Sequence, residues 1–283
     1  MEKICGVVVL YNPEKCVFEN MMSYVDYLDK LYVVDNSENS IENYNELLKK
    51  LSPKIEYIKF NENKGIAKAL NVGLEKFLIS DSEWFLTMDQ DSKFENGDFK
   101  KYLDKIFEEN TEKSIGIFSP NHSLKENDEK INKEWYAKRV MTSGNILSKE
   151  AVRCIGKYNE DFFIDEVDHE YCYRALKNNY KIKVFGDIIL NHNLGKINKK
   201  IKIPKFLIPT NHSAIRRYYI TRNKMYVFKK YPEIRMKYIL TFINDFIKIV
   251  FFEDNKNEKL RMIKRGFEDY KKNIVGKYIE SNN

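Results

Sequence analysis

Cysteine is scarce in this sequence: Cys5, Cys16, Cys154 and Cys172 stand far apart among 283 residues, with no CxxC pair. That spacing excludes a disulfide framework and a zinc site and suits a reduced, cytosolic chain. No GxGxxG follows the first strand-like run and no Walker A sequence occurs, which excludes dinucleotide and P-loop binding of the usual kinds. Long apolar runs are missing too. The best of them, Tyr238 to Phe252, has 15 residues and contains Asn244, Asp245 and Lys248, too short and too polar to span a bilayer. Met1-Glu2-Lys3 leads straight into a strand-like run, so no secretory leader is expected. With 43% hydrophobic and 14% aromatic residues, the chain has ample material for a core, and disorder along its whole length is excluded.

Acidic residues are absent from one stretch. From Lys196 to Tyr231 there are eleven Lys and Arg and no Asp or Glu, while the whole chain carries only +7, so the remainder is mildly acidic. Such a stretch serves as a solvated helical face or meets phosphorylated ligands, nucleic acid or anionic lipid. In the nucleic-acid reading Tyr218, Tyr219 and Tyr226 would stack on bases, but that reading leaves the acidic residues described next without a role.

The first half of the chain alternates strand and helix. Ile4–Tyr11, Leu31–Val34, Ile55–Phe60 and Trp84–Met88 read as strands, the first a continuous apolar run suited to burial on both faces. Between them, Phe18 to Leu28, Tyr44 to Leu51 and Ile66 to Leu78 carry apolar residues at helical spacing. This order predicts a parallel sheet with helices on both faces. Further on, Ile115–Phe118, Lys181–Phe185 and Ile188–Asn191 read as strands, and Ser148–Ile155 and Val167–Asn178 as helices. From about residue 211 only helices are expected, one of them amphipathic with Phe242, Phe246, Ile249 and Val250 on one face.

Open α/β sheets bind ligands outside the carboxyl ends of their strands. Here those ends are Tyr11-Asn12-Pro13, Asp35-Asn36-Ser37, Asn63-Lys64-Gly65 and Asp89-Gln90-Asp91-Ser92, which a parallel sheet brings to one rim. Asp89 and Asp91, one residue apart, suit a hard divalent cation bridging to phosphate oxygens, although an isolated pair also serves as a turn or cap. Asn63-Lys64-Gly65 opens a helix whose unpaired N–H groups favour an anion, or is an ordinary cap. The run from Phe162 to Glu170 places Asp165, Glu166, Asp168 and Glu170 beside aromatics at a helix start, as dipole partners or around a general base. His192 ends a short strand and would matter if the fold returned it to the Asp pair.

In order and spacing these motifs resemble the family 2 glycosyltransferases of GT-A fold, and among them the rhamnosyltransferase-like branch. The match runs from Val8-Val9-Leu10-Tyr11-Asn12-Pro13 through Val33-Val34-Asp35-Asn36-Ser37 and Asn63-Lys64-Gly65-Ile66-Ala67 with Asn71. It continues through Met88-Asp89-Gln90-Asp91-Ser92, Ser143-Gly144-Asn145, Phe163-Ile164-Asp165 with Asp168, Glu170 and Arg174, to His192 with Leu194-Gly195. The sequence departs from the pattern at Glu166, where relatives often carry an aromatic residue, and at His169.

The resemblance implies a mixed sheet flanked by helices, with a catalytic domain over 1–205 and a basic, amphipathic helical region over 206–283. It implies an inverting glycosyltransferase of cell-surface polysaccharide synthesis that uses Mn2+ or Mg2+. The donor would be dTDP-rhamnose, or else a UDP-hexose or UDP-galactofuranose; the acceptor would be a saccharide or lipid-linked saccharide. Tyr11, Asn12, Asp35, Asn63, Lys64, Gly65, Asn71, Asp89 and Gln90 would hold the nucleotide sugar, with Asp35 on the pyrimidine ring. Asp89, Asp91 and His192 would hold the metal, and Asp168 would be the catalytic base. Ser143, Gly144, Asn145, Asp165, Glu166, Arg217 and Arg222 would line the sugar and acceptor side. The protein would be cytoplasmic, with its last helices resting on the inner face of the plasma membrane.

Overall fold

The computed structural model describes residues 2–39, 44–95, 97–109, 112–123, 133–192 and 208–280. The chain divides into two compact units, one of residues 1–159 and 168–193, the other of 160–167 and 194–283.

The first unit is built on strands β1 (Ile4–Leu10), β2 (Lys30–Asp35), β3 (Ile55–Lys59) and β4 (Trp84–Asp89). All four pair in parallel in the spatial order β3-β2-β1-β4. Every residue of β1 is buried, which is why its sequence is apolar throughout rather than alternating. Between strands run α1 (Cys16–Met22), α2 (Tyr44–Leu51) and α3 (Ile66–Ile79). The apolar spacing from Phe18 to Leu28 predicts one helix, yet α1 stops at Met22 and a 3-10 turn, Val25–Tyr27, follows. The break is held by the Ser23 hydroxyl, which donates to the Asn20 carbonyl at 2.7 Å.

Beyond β4 the sheet becomes mixed. Strand β5 (Ser92–Phe94) and helix α4 (Asp98–Glu108) come next. Lysines interrupt the apolar residues of α4, so its helical spacing is weak along the sequence. In the fold Phe99, Tyr102, Leu103 and Ile106 line its buried face at helical spacing. Strands β6 (Ile115–Ser123), β7 (Glu134–Tyr136) and β8 (Asn145–Ser148) are followed by α5 (Lys149–Ile155), α6 (Val167–Lys177) and β9 (Lys181–His192). β8 runs antiparallel to both β4 and β6, β9 runs parallel to β6, and β5 and β7 pair antiparallel with β9. Two strands expected at 181–185 and 188–191 are a single one. Asp187 stays within it because Lys101 at 2.6 Å and Lys105 at 3.3 Å neutralise its carboxylate, and β6 absorbs the irregularity by a register shift after Pro120.

The second unit consists of the segment 160–167 and helices α7 (Ala214–Lys230), α8 (Arg235–Phe252) and α9 (Lys256–Lys271). Its interior is ionic as well as aromatic. Glu253 accepts from Arg217 and from Lys259 at 2.9 Å, Asp245 from Lys224 at 2.8 Å, and Asp269 from the Tyr218 hydroxyl at 2.8 Å. Two cations of the basic stretch, Arg217 and Lys224, are thus matched by acids of α8 or its end, and Arg216 pairs with Asp165. Residues 196–207, with Lys196, Lys199, Lys200, Lys202 and Lys205, lie outside the described residues.

His212, which precedes α7, is half-buried, and burial together with the charges of Arg216 and Arg217 pushes its pKa down to about 4. The folded protein therefore keeps this ring neutral, whereas the unfolded chain protonates it near 6.5. Between those values the unfolded state binds the extra proton, so stability falls as pH drops from about 6.5 toward 4. Thermal unfolding at pH 7 and pH 5 should show a smaller drop for His212→Gln than for the parent chain. Equal drops would mean that this ring stays unshifted.

Candidate functional site

Parallel pairing fixes where the strand ends meet. Leu10 lies opposite Asp35 and Val9 opposite Asp89, so the residues after β1, β2 and β4 leave the sheet at one rim. Hydrogen bonds then tie the rim together. The Gln90 side chain accepts from the Tyr11 N–H at 2.8 Å and donates to the Tyr11 carbonyl at 3.0 Å, the two bonds a neighbouring strand would supply. The Gln90 carbonyl itself accepts from Asn20 at 2.8 Å, a buried residue that the motif reading did not single out. Asn12, left-handed at φ +45°, donates its N–H to the Ser37 hydroxyl at 2.8 Å.

Asp35 is buried. One oxygen accepts the Ser37 N–H at 3.0 Å and the other the Tyr57 hydroxyl at 2.5 Å. Asn36 and Asn63 are locked together: Asn36 donates to Asn63 Oδ1 at 3.0 Å, and Asn36 Oδ1 accepts the Lys64 N–H at 2.8 Å. Asn63 Oδ1 also accepts the Gly65 N–H at 3.0 Å. Gly65, at φ +86°, adopts backbone that side chains resist and turns directly into α3, while the exposed Lys64 pairs with Glu62 at 3.0 Å. Asn71, inside α3, exchanges two hydrogen bonds with the Tyr158 main chain at 2.8 and 2.9 Å.

Asp89 is the electrostatic centre. Its N–H donates to the Ser143 hydroxyl at 3.1 Å. Burial first, then the negative charges of Asp91 and Asp168, raise its carboxyl to about 7. Asp168, near the start of α6, therefore lies within electrostatic reach of Asp89; its own carboxylate accepts the His169 N–H at 2.8 Å. The buried Glu170, bound by Arg174 at 2.9 Å, anchors the same helix. Gly144 donates its N–H to the Thr87 carbonyl at 2.7 Å, and at φ +79° a Cβ there would come within 2.6 Å of Pro120. Asn145 completes the motif by donating to the Met141 carbonyl at 2.7 Å. His122 Nε2 lies 2.7 Å from the Ser143 carbonyl, a polar neighbour that a motif reading offers no signal for. His192 ends β9 with its main chain opposite Ser92, beside Asp91; its side chain lies outside the described residues, as do Leu194 and Gly195.

This carboxylate set suits a hard divalent cation. Oxygen donors are the right type, and the negative charges of Asp91 and Asp168 that add to burial in raising Asp89 are ones a cation would offset. Among the described residues, no group of three His, Cys, Asp or Glu side chains stands ready-made for a metal. Two carboxylates completed by water and substrate phosphates are the usual arrangement for Mg2+.

The remaining expected site residues belong to the second unit, and two are placed differently from the expectation. Arg217 and Arg222, expected on the acceptor side, are instead buried. Arg217 is bound to Glu253 and Thr210, and Arg222 donates to the carbonyls of Gly276 at 2.8 Å and Asp161 at 3.1 Å. The exposed Arg216 pairs with Asp165 at 3.1 Å, and Glu166 accepts the Tyr238 hydroxyl. Phe163, Asp165 and Glu166 have φ of +50°, +62° and +62°. Non-glycine residues in that region cost about 1–3 kcal/mol each, so this short segment is strained.

Comparison with known proteins adds to this geometry. A family model described as glycosyl transferase family 2 matches residues 7–165. The dTDP-rhamnosyl transferase RfbF of Shigella flexneri is 32% identical over 248 residues, 80% of each chain. Among solved structures, S. aureus TarS 1-349 in complex with UDP-GlcNAc superposes with a TM-score of 0.56 at 17% identity, covering 96% of this chain and 81% of that one. GalNAc-T7 with UDP, GalNAc and Mn2+ reaches a TM-score of 0.55 at 11% identity over 68% of this chain, which spans 44% of that protein. At these identities the two structures speak to the fold, a mixed sheet flanked by helices with further helices at its C-terminal end.

The Gln90 clamp can be tested without any ligand. A net hydrogen bond is worth about 1 kcal/mol, or about fivefold in an opening equilibrium. Gln90→Ala should therefore speed native-state hydrogen exchange at the Tyr11 amide about fivefold, while the amides within β1 stay protected. An unchanged rate at Tyr11 would show that the side chain does not hold it.

Proposed function

The chain belongs to glycosyl transferase family 2, and from that premise we propose that it moves L-rhamnose from dTDP-rhamnose onto a saccharide or lipid-linked saccharide, with inversion at the anomeric carbon. The carrying observation is the electrostatic coupling of Asp89, Asp91 and Asp168, on a rim that also presents Tyr11, Asp35 and Gly65. The donor choice is supported by the name of the Shigella relative, a dTDP-rhamnosyl transferase. A nucleotide-diphosphate sugar in general is supported by the UDP-GlcNAc and UDP complexes of the two structural neighbours. Transfer from a UDP-hexose or UDP-galactofuranose is the alternative within the same fold.

In this reading Asp35, held by Tyr57 and Ser37, faces the pyrimidine ring. Tyr11, Asn12, Asn63, Lys64, Gly65 and Asn71 shape the nucleoside and diphosphate pocket, helped by the positive end of α3. Gln90 acts on that pocket through the Tyr11 main chain. Asp89 and Asp91, with His192, would hold Mn2+ or Mg2+, which would supply positive charge to offset that of the diphosphate. Ser143, Gly144 and Asn145 border the sugar.

Asp168 takes the proton of the acceptor hydroxyl. The acceptor oxygen forms its bond to the anomeric carbon as the bond from that carbon to the diphosphate oxygen breaks. The electron pair leaves with the nucleoside diphosphate on the opposite face, so the configuration inverts. General-base help of this kind is worth about 10²–10⁴-fold.

The membrane contact rests on α8. Met236, Ile239, Leu240, Ile243, Phe246 and Phe251 are 41–69% exposed along one side of it, while Asp245 is paired with Lys224. Among the described residues no helix is long and apolar enough to cross a membrane. An in-plane helix that sinks its apolar side among the headgroups fits both facts.

Thermal-shift titration of nucleotide sugars tests the donor. dTDP-rhamnose with Mn2+ or Mg2+ should raise the melting temperature by several degrees, and chelation should remove most of that shift. Asp168→Asn should keep the shift while lowering turnover about 10²–10⁴-fold. A shift for UDP-sugars alone would replace the donor, and full turnover of the variant would remove the base. For the membrane, flotation with anionic vesicles at low salt should recover the protein and lose it in Ile243→Glu; failure of the parent chain to float would end that part of the reading.

A further inference from the structure

Asp35 is held by a residue that belongs to none of the strand-end clusters on the rim. It ends β2, is buried, and receives two donors: the Ser37 N–H at 3.0 Å on Oδ1 and the Tyr57 hydroxyl at 2.5 Å on Oδ2. The first bond is local and comes with the turn that follows the strand. The second comes from the neighbouring strand. Tyr57 lies opposite Val33 in the parallel register of β3 with β2. Asp35 follows Val33 by two positions, so both side chains leave the same face of the sheet.

The phenol is itself fixed. Its ring packs against the core 5.8 Å from the ring of Tyr44, which in turn lies 5.3 Å from that of Phe18. Tyr44 is buried and close enough for the Asp35 charge to act on it, yet among the described residues its hydroxyl has no hydrogen-bond partner. Of the two phenols beside Asp35, only Tyr57 carries a bond to it. With a hydrogen received on each oxygen, the carboxylate cannot turn without breaking a bond, and what it offers a ligand is lone pairs alone. A ring nitrogen that meets those lone pairs must bring a hydrogen. Thymine and uracil do so through N3–H. The N3 of cytosine is an acceptor and would leave two acceptors face to face.

We propose that Tyr57 sets the base specificity of the donor site: it holds one oxygen of Asp35 while the Ser37 N–H holds the other, so the site takes a nucleotide whose base carries a ring N–H and rejects one whose ring nitrogen is an acceptor. The proposal rests on the reading of Asp35 as the contact to the pyrimidine ring. Tyr57 is a positioning residue and acts through Asp35. All of these residues belong to the first unit. Loss of the hydroxyl frees the carboxylate to rotate, which weakens the matched base and narrows its advantage over the mismatched one.

Two matched nucleotide pairs test this on the full chain: dTDP with 5-methyl-dCDP, and UDP with CDP, the members of each pair differing only at the N3 and C4 edge of the base. Affinities are measured by calorimetry in the presence of Mn2+ for the parent chain, Tyr57→Phe, Asp35→Asn and the double variant, and the pair that binds more tightly is followed. The parent should favour the N–H base by about tenfold or more. Tyr57→Phe should weaken that base about fivefold or more and its counterpart by less than about twofold. In Asp35→Asn, whose amide can present either a donor or an acceptor, the preference should collapse, and adding Tyr57→Phe should change little. Tyr44→Phe, which removes the phenol without a bond, should keep the parent's preference. Equal losses for both members of the pair, a parent-like preference in Tyr57→Phe, or an undiminished loss in the Asp35→Asn background would overturn the proposal. So would a parent chain without preference, or a loss of preference in Tyr44→Phe as large as in Tyr57→Phe. Should Tyr57→Phe fail to fold, Tyr57→Met, which also lacks the hydroxyl, goes through the same cycle against the same outcomes. If Asp35→Asn binds both members as the parent does, the reading of Asp35 fails, a result distinct from any failure of Tyr57.

Discussion

Parallel pairing of β1 with β2 and β4 is the constraint from which the candidate site follows. Three adjacent strands that run the same way must end at the same edge, so each connecting loop begins on one rim whatever its own sequence. The loops then differ only in what they present there: Asp35 after β2, Asn12 after β1, Gln90 and Asp91 after β4. Crowding is the consequence. Burial first, and then the negative charges of Asp91 and Asp168, raise the pKa of Asp89.

The rim was legible in the sequence because its logic is local. An apolar run ending in a polar cluster marks a strand end, and parallel order does the rest. The second unit was not legible for the opposite reason. Counted along the chain, the stretch around α7 is a run of cations without acids, which reads as a surface awaiting an anion. In the fold, Arg217 meets Glu253 and Lys224 meets Asp245, from helix α8 or its end, more than twenty residues further on. Charge pairing across helices has no signature in a window of sequence. Helix α4 was missed on another ground: its exposed lysines dilute the apolar spacing until the packed face is seen.

Three amide side chains recur in one physical role. Gln90 with Tyr11, Asn71 with Tyr158 and Asn223 with the 162–165 carbonyls each take the place of a peptide group from a neighbouring strand. An amide alone among the side chains offers donor and acceptor side by side without net charge, so it can satisfy irregular backbone without adding to the field around the acids. Asn71 and Gln90 were read as ligand contacts from their motif positions. Their observed bonds also make each of them a support for a neighbouring stretch of main chain, a role that spacing alone does not reveal.

The strained segment also explains why glycine is not used where the backbone is left-handed. Glycine at 165 or 166 would remove a conformational cost of about 1–3 kcal/mol per residue. It would also remove the carboxylates that bind Arg216 and Tyr238, and it would give the unfolded chain more freedom to lose on folding. Side chains that accept strain in exchange for anchorage leave the segment with one conformation rather than several. A segment fixed by its own side chains and by Asn223 keeps one conformation where a flexible glycine loop would not.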